Sequence, residues 1–176
     1  MITTKEFLEK ELEWGISFAN PSFKNLALVT AKQFTDLPIK TVMDFGAGTG
    51  VYSDAFHNEG YETFVYEIWD EHKVYIKENA PHLNIIDKPI TTDLMAFIEV
   101  AEHMTDKEIL SLFKSIKPTY VLFSSTSEKT DYDEQWGHIN VKQQTEWVTM
   151  FKRMGYELDR HLFNPTSWSK LFKICL

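Results

Sequence analysis

Apolar residues along this chain change their spacing near residue 40. Before that point they recur at helical intervals. Phe7, Leu8 and Leu12 lead to Trp14 and Phe18, and Asn20-Pro21 interrupts the pattern. Leu26, Leu28, Val29 and Phe34 then form a second, mixed apolar face that Pro38 ends. From Thr41 onward short β-rich runs alternate with helical stretches. Thr41 to Phe45 reads as a buried strand closed by a glycine cluster, and a short helix follows up to Gly60, placed as a C′ glycine. Thr63 to Glu67 is the second strand, Asp70 caps a helix carrying Val74 and Ile76, and Pro81 stops it. Leu83 to Ile86 makes a short third strand and Leu94 to Val100 a fourth.

Thr105 and Glu108 stand at capping-box spacing, opening a helix that turns Ile109, Leu110, Phe113 and Ile116 inward. Tyr120 to Ser124 is the fifth strand. A polar loop from Ser125 to Asn140 precedes a helix with Trp147, Val148, Phe151 and Met154 on one face and Gly155 at its end. Glu157 to Phe163 and Trp168 to Leu176 read as two last strands. Their connection, Asn164-Pro165-Thr166-Ser167, is short enough to pair them antiparallel. The expected fold class is therefore α/β: a Rossmann-like, doubly wound, mostly parallel sheet with a terminal antiparallel strand pair, in an α/β/α sandwich. One domain over residues 1–176 is expected, with 1–40 as a helical cap and 41–176 as the Rossmann-like core.

Composition narrows the partners. The 18 basic against 26 acidic residues give a formal charge of -8, and no basic run occurs, which argues against a nucleic-acid partner. An aromatic content of 14% suits a packed core or an aromatic-lined pocket. The single cysteine, Cys175, has no partner for an internal disulfide and reads as a small buried hydrophobe in an apolar run. The first residues lack a basic start followed by an apolar stretch, and no apolar run approaches the ~20 residues that span a bilayer. These features lead to the expectation of a soluble, cytoplasmic protein without membrane association.

The chemistry concentrates where the first strand meets the first core helix, in Asp44-Phe45-Gly46-Ala47-Gly48-Thr49-Gly50. Glycines there let a ligand come against the backbone, and the helix N-terminus offers free N–H groups. The spacing is G-x-G-x-G, and Val51 stands where a dinucleotide fingerprint would want glycine. Glu67 follows at the end of the second strand, placed to accept hydrogen bonds from ribose hydroxyls. Val42 to Gly50 resembles motif I of the class I S-adenosylmethionine-dependent methyltransferases, and Glu67 resembles their acidic motif. The resemblance extends to Glu99-Val100-Ala101-Glu102-His103 and to the terminal strand pair, covering roughly residues 40 to 176. It implies S-adenosylmethionine as cofactor. Gly46, Ala47, Gly48 and Gly50 would approach its methionine part, Asp44 would orient the loop through the amino group, and Glu67, with Ile68 beside it, would hold the ribose. Asp87 resembles the position that contacts adenine, and Glu99 joins the cofactor site. The chain departs from the family in having only Asp87 to Asp93 between the third and fourth strands, too few for the usual helix.

Glu99, Glu102 and His103 gather in the turn after the fourth strand, and His138 stands in the loop after the fifth. Loops at neighbouring strand ends lie close together, so these four are candidate ligands for a divalent ion: Mn, Fe, Co or Zn, with Mg also compatible. The Glu-x-x-Glu-His run resembles the metal motif of small-RNA 2′-O-methyltransferases and of ubiquinone-pathway O-methyltransferases. Such an ion would act as a Lewis acid on a substrate hydroxyl. Without metal, His138 or His103 is the candidate general base, since a free imidazole titrates near 6.5. His57, His72, His82 and His161 have no comparable setting and read as structural.

The acceptor is expected to meet Trp14 and Phe18 of the N-terminal helices and Tyr132, Asp133, Trp136 and His138 of the polar loop, although these aromatics, Trp14 above all, also suit the core. Size and charge favour a small polar or sugar-like acceptor and O-methylation. Three alternatives stay open: a non-catalytic S-adenosylmethionine binder, an RNA 2′-O-methyltransferase, and an NAD-dependent oxidoreductase of the same fold.

Overall fold

The computed structural model describes residues 2–131 and 133–175, with the backbone alone for Glu134. Two helices come first, α1 (Thr4–Glu13) and α2 (Pro21–Lys32). Each starts where its sequence supplies the cap. Thr3 and Glu6 form a reciprocal capping box on α1, while Asn20 accepts from the Ser22 and Phe23 N–H groups with Pro21 at the first helical position of α2. Strands and helices then alternate: β1 (Thr41–Phe45), α3 (Val51–Asn58), β2 (Glu62–Tyr66), α4 (Asp70–Asn79), β3 (Asn84–Ile85), β4 (Leu94–Ile98), α5 (Asp106–Ser115) and β5 (Tyr120–Ser124). The chain closes with α6 (Asp133–Trp136), α7 (Gln144–Arg153), β6 (Tyr156–His161) and β7 (Lys170–Ile174).

The seven strands form one sheet in the order β3-β2-β1-β4-β5-β7-β6. β1 to β5 are parallel, and β7 runs antiparallel to both β5 and β6, as the short connection predicts. Alternation along the central strands feeds two cores. Met43, Phe45, Met95, Phe97, Val121 and Phe123 face α5 and α7, whose Phe113, Trp147 and Phe151 complete that layer. Val42, Leu94, Ala96 and Leu122 face the other way, onto Ala27, Ala31, Val51, Ala55 and Phe56 of α2 and α3. Buried on both faces, these strands read as near-continuous apolar runs. No helix among the described residues is long and apolar enough to cross a membrane.

Several details correct the sequence reading. Trp69, not Asp70, occupies the cap position of α4, and Val74 is exposed on it. Leu110 is exposed too: on α5 the buried stripe is Ile109, Leu112 and Phe113, the i, i+3, i+4 set. α2 ends at Lys32, six residues before Pro38, because turns already carry the chain away from Gln33. The polar loop after β5 contains α6, a single turn too short to show periodicity. Cys175 lies past the end of β7 and is exposed. Trp14, at the C-cap of α1, is exposed as well rather than core.

Candidate functional site

Strand order reverses between β1 and β4, which are neighbours in the sheet although their connections leave in opposite directions. A crevice opens at the carboxyl ends of strands at such a point. Here it is a cavity of about 630 Å³, lined by the loop after β1, the turn after β2, the turn after β4 and the two N-terminal helices.

The loop after β1 is fixed from below by two backbone bonds, Gly46 and Ala47 N–H donating to the Tyr66 carbonyl at 2.8 and 3.3 Å. Gly46, at φ +70°, packs so closely on the β4 turn that a Cβ would lie 2.8 Å from Val100 Cγ2. Gly50, which caps α3 at φ +80°, does not line the cavity; its bare Cα makes room for Ile76 of α4. Its service to the site is therefore packing, while Gly46, Ala47 and Gly48 do line the cavity.

Glu67 lies one residue past β2 and is buried. One carboxylate oxygen accepts the Gly48 N–H at 2.9 Å, and the other accepts Ile68 and Trp69 N–H at 2.7 and 2.9 Å. A carboxylate offers about four acceptor sites, so this one is aimed by three backbone donors with capacity left for a ligand hydroxyl. Ile68 follows it, lining the cavity and 64% exposed. Asp44 lies beneath the loop, 3% exposed, and accepts from Ser53 Oγ at 2.5 Å. Burial raises its pKa to about 6, the Ser53 hydrogen bond opposes that, and Glu67 adds to it. Asp87 is exposed and is not among the cavity residues. The β3–β4 connection carries no helix and runs elsewhere, so the resemblance does not transfer at that position.

After β4 the chain turns at Glu99, a non-glycine residue at φ +52°, with its N–H bonded to the Ser124 carbonyl at 2.7 Å. Its carboxylate accepts from Ser124 Oγ and, at 3.3 Å, from Trp168 Nε1. A side chain held in that region marks a site whose surroundings over-determine it. Glu99 lines the cavity and its side chain neighbours Glu102, but it falls outside the close cluster formed by the other three candidate ligands.

Those others do meet. Glu102, His103 and His138 each offer a ligand atom, and the three atoms lie within 4.8 Å of one another. Glu102 is wholly buried, and among the described residues its Oε2 has no hydrogen-bond partner. Burial and the neighbouring Glu99 raise its pKa well above the ordinary carboxyl range. Burial, then the adjacent His138, lowers the His103 pKa to about 4, while a bond to the Gly137 backbone opposes this. His103 is thus neutral near pH 7, the form that ligates metal. His138 Nδ1 lies 2.8 Å from Asp133 Oδ1. A carboxylate only accepts, so in the neutral imidazole Nδ1 is the nitrogen that carries the proton and Nε2 the one with the lone pair. An orphaned carboxylate oxygen, a neutral imidazole and a second imidazole oriented by a carboxylate fit a borderline divalent ion such as Zn²⁺, Fe²⁺, Co²⁺ or Mn²⁺.

The expected acceptor contacts divide. Trp136 packs edge-on between Phe7 and Trp14, with ring centroids 5.3 and 5.4 Å away; of the three only Phe7 lines the cavity. Phe18 packs on Tyr75, outside the cavity lining. Asp133 serves His138, and Tyr132 lies outside the described residues. The cavity instead meets Phe23, Leu26, Tyr52, Ile98 and Pro165, which the sequence reading did not select.

A family model described as a methyltransferase domain matches residues 14–173. The chain belongs to that methyltransferase family. The cofactor of this methyltransferase is S-adenosylmethionine, and its sheet order is that of the class I enzymes. The NAD reading falls with that assignment. Solved structures share the fold at low identity. Magnesium protoporphyrin IX methyltransferase (ChlM) from Synechocystis PCC 6803 with bound SAH matches at TM-score 0.66 and 12% identity, over 98% of this chain and 87% of that one. Streptomyces venezuelae DesVI matches at 0.66 and 13%, over 100% of both chains. The pyocyanin biosynthetic protein PhzM matches at 0.63 and 13%, over 85% of this chain and 54% of that one. The methyltransferase spans about half the length of PhzM, of the mitomycin 7-O-methyltransferase MmcR and of TnmH, 54%, 55% and 55% respectively. No curated protein matches its sequence.

Proposed function

We propose that this methyltransferase transfers the sulfonium methyl of S-adenosylmethionine to a hydroxyl oxygen of a small-molecule acceptor, with His138 as the base. The observation that carries this reading is the Asp133–His138 pair: His138, though not itself a lining residue, packs on His103, which lines the cofactor cavity, with ring centroids 4.8 Å apart. Methyl transfer is an in-line displacement: the acceptor oxygen forms a bond to the methyl carbon as the carbon–sulfur bond breaks, and the hydroxyl proton passes to His138 Nε2. Asp133 then stabilises the imidazolium. His103, held at about 4, is too weak a base for that task near neutrality. Phe7 lines the cavity and Trp136 packs edge-on against it, an apolar wall of the kind that keeps water from a bound acceptor.

The lining also bears on the acceptor. Five acids, Glu11, Asp44, Glu67, Glu99 and Glu108, and no lysine or arginine occur among the described lining residues, which speaks against a phosphate-bearing or RNA acceptor. Phe23, Leu26, Tyr52, Ile98 and Pro165 suit a hydroxyl carried on an apolar ring better than the sugar-like acceptor expected from size and charge. PhzM and MmcR, pyocyanin-biosynthetic and mitomycin 7-O-methylating proteins, agree with a small-molecule acceptor.

A second reading is favoured by the orphaned Glu102 Oε2: Glu102, His103 and His138 would hold a divalent ion. When bound, the ion would supply Lewis acidity that lowers the pKa of the acceptor hydroxyl. One experiment separates the readings. Transfer of labelled methyl from S-adenosylmethionine to a panel of hydroxylated aromatics is measured for the wild type, His138→Ala and Asp133→Asn, each with and without chelator. The base reading expects His138→Ala to lose about 10²- to 10⁴-fold in kcat with S-adenosylhomocysteine affinity unchanged and chelator without effect. Chelator-sensitive turnover replaces it with the metal reading. Full turnover by His138→Ala refutes both.

A further inference from the structure

α1 lies outside the span that the family model matches, yet it reaches into the cofactor cavity with Phe7 and Glu11. Glu11 is only 9% exposed. A carboxylate at that depth requires partners, and it has one. Its Oε2 lies 2.7 Å from Nε2 of His72, a wholly buried residue of α4 whose Nδ1 has no hydrogen-bond partner among the described residues. Its Oε1 meets no donor among the described residues and stands over the glycine loop, 3.1 Å from the Cβ that a side chain at Gly48 would carry. Gly48 donates its N–H to Glu67. The middle glycine of the loop is thus flanked by two carboxylates from two different helix–strand units. Burial, with the Glu67 charge adding to it and His72 opposing, raises the proton affinity of Glu11.

Two acids facing one stretch of bare backbone repel each other unless donors come between them. The ligand of this cavity carries such donors in its ribose, a pair of adjacent hydroxyls, and each hydroxyl can give one hydrogen bond. We propose that Glu11, braced by His72, is a second cofactor-binding carboxylate, accepting a hydrogen bond from one ribose hydroxyl while Glu67 accepts from the other. This inference rests on the reading that Glu67 holds the ribose. It makes α1 part of the cofactor site: the helix is fastened to α4 through Glu11 and His72 and to the cofactor through the free oxygen of the same carboxylate.

The test is calorimetric titration of the wild type, Glu11→Gln, Glu11→Ala and His72→Ala with S-adenosylhomocysteine and with its 2′-deoxy and 3′-deoxy analogues. A lost hydrogen bond to a charged group predicts that Glu11→Ala weakens S-adenosylhomocysteine about 10- to 100-fold. One deoxy analogue should bind wild type and Glu11→Ala alike, because the hydroxyl that Glu11 would serve is already gone; the other should lose the same factor as the parent. Glu11→Gln, which keeps the size and an acceptor oxygen, should fall between. His72→Ala should weaken the parent less than Glu11→Ala and keep the preference between analogues. An equal loss for all three ligands would mean that Glu11 acts only through the packing of α1, and would overturn the proposal, as would unchanged affinity. If wild type itself does not distinguish the parent from either analogue, the ribose reading of Glu67 has failed and takes this proposal with it.

Discussion

Asp44→Asn keeps the shape of the side chain beneath the glycine loop and removes its charge. In the wild type this carboxyl is 3% exposed, and Ser53 Oγ is the donor it meets. Burial is the largest cause of its raised pKa, about 6 against an ordinary 3.8. The unfolded chain therefore releases this proton at lower pH than the folded chain does. Stability that depends on the neutral carboxyl is complete below about pH 4 and is lost as pH rises through about 6. Above both values the difference is worth about 3 kcal/mol against the folded state. An asparagine is neutral throughout, and its carbonyl oxygen can still accept from Ser53.

The variant without ligand should exceed the wild type by about 1 kcal/mol at pH 4.5 and by about 3 kcal/mol at pH 7.5, the latter roughly 6–12 °C in Tm for a chain of this size. Urea unfolding of both proteins at four pH values between 4.5 and 7.5 measures this; the difference between the two curves cancels every other titrating group. A difference that stays constant with pH, or a variant that is the less stable one at pH 7.5, refutes the argument. On the reading that Asp44 meets the cofactor's ammonium, the same substitution should weaken S-adenosylhomocysteine about tenfold or more.

Two further substitutions probe the scaffold. Gly46→Ala meets Val100 at 2.8 Å from a left-handed backbone, so it should cost about 1–3 kcal/mol in urea unfolding and abolish S-adenosylhomocysteine binding by displacing the loop; a variant normal in both would remove the close approach from the account. Phe151→Ala empties a position stacked on Phe172 at a centroid distance of 4.0 Å and should cost about 3–5 kcal/mol, read from the urea midpoint at constant slope; a cost under about 1 kcal/mol would mean that the layer between α7 and the sheet is not packed as described.

Strands β1, β2, β4 and β5 are legible to within two residues: β4 and β5 because covered faces make them near-continuous apolar runs, β1 and β2 because short β-rich runs are closed by the glycine loop and by Glu67. Errors fall where a tertiary contact outweighs the local pattern. β4 stops at Ile98 rather than Val100 because Glu99 adopts a left-handed backbone stabilised by the Ser124 carbonyl, a partner 25 residues away that no spacing along β4 announces. Trp14 is read both as an acceptor contact and as a residue suited to the core, yet α1 terminates there and leaves the ring against Trp136 at the protein surface.

The site divides on the same principle. The glycine loop, Glu67 and the trio of Glu102, His103 and His138 are recoverable because sheet topology assembles them: adjacent strands put their carboxyl ends side by side, and any chemistry-bearing residue just past those ends is brought to the crevice. Glu99 lies at such an end too, beside Glu102, with its carboxylate also bonded to Ser124. Glu11 and His72 are assembled differently. They are 61 residues apart, on helices whose mutual placement depends on side-chain packing rather than strand order, and each by itself is an ordinary polar residue on an amphipathic helix. A signal was present all the same: α1 positions Glu11 one turn after Phe7, on the face that has to be buried for the helix to dock. An acid on the apolar stripe of a docking helix either destabilises the helix or marks what it docks against, and here a glycine loop and a second acid lie beneath it.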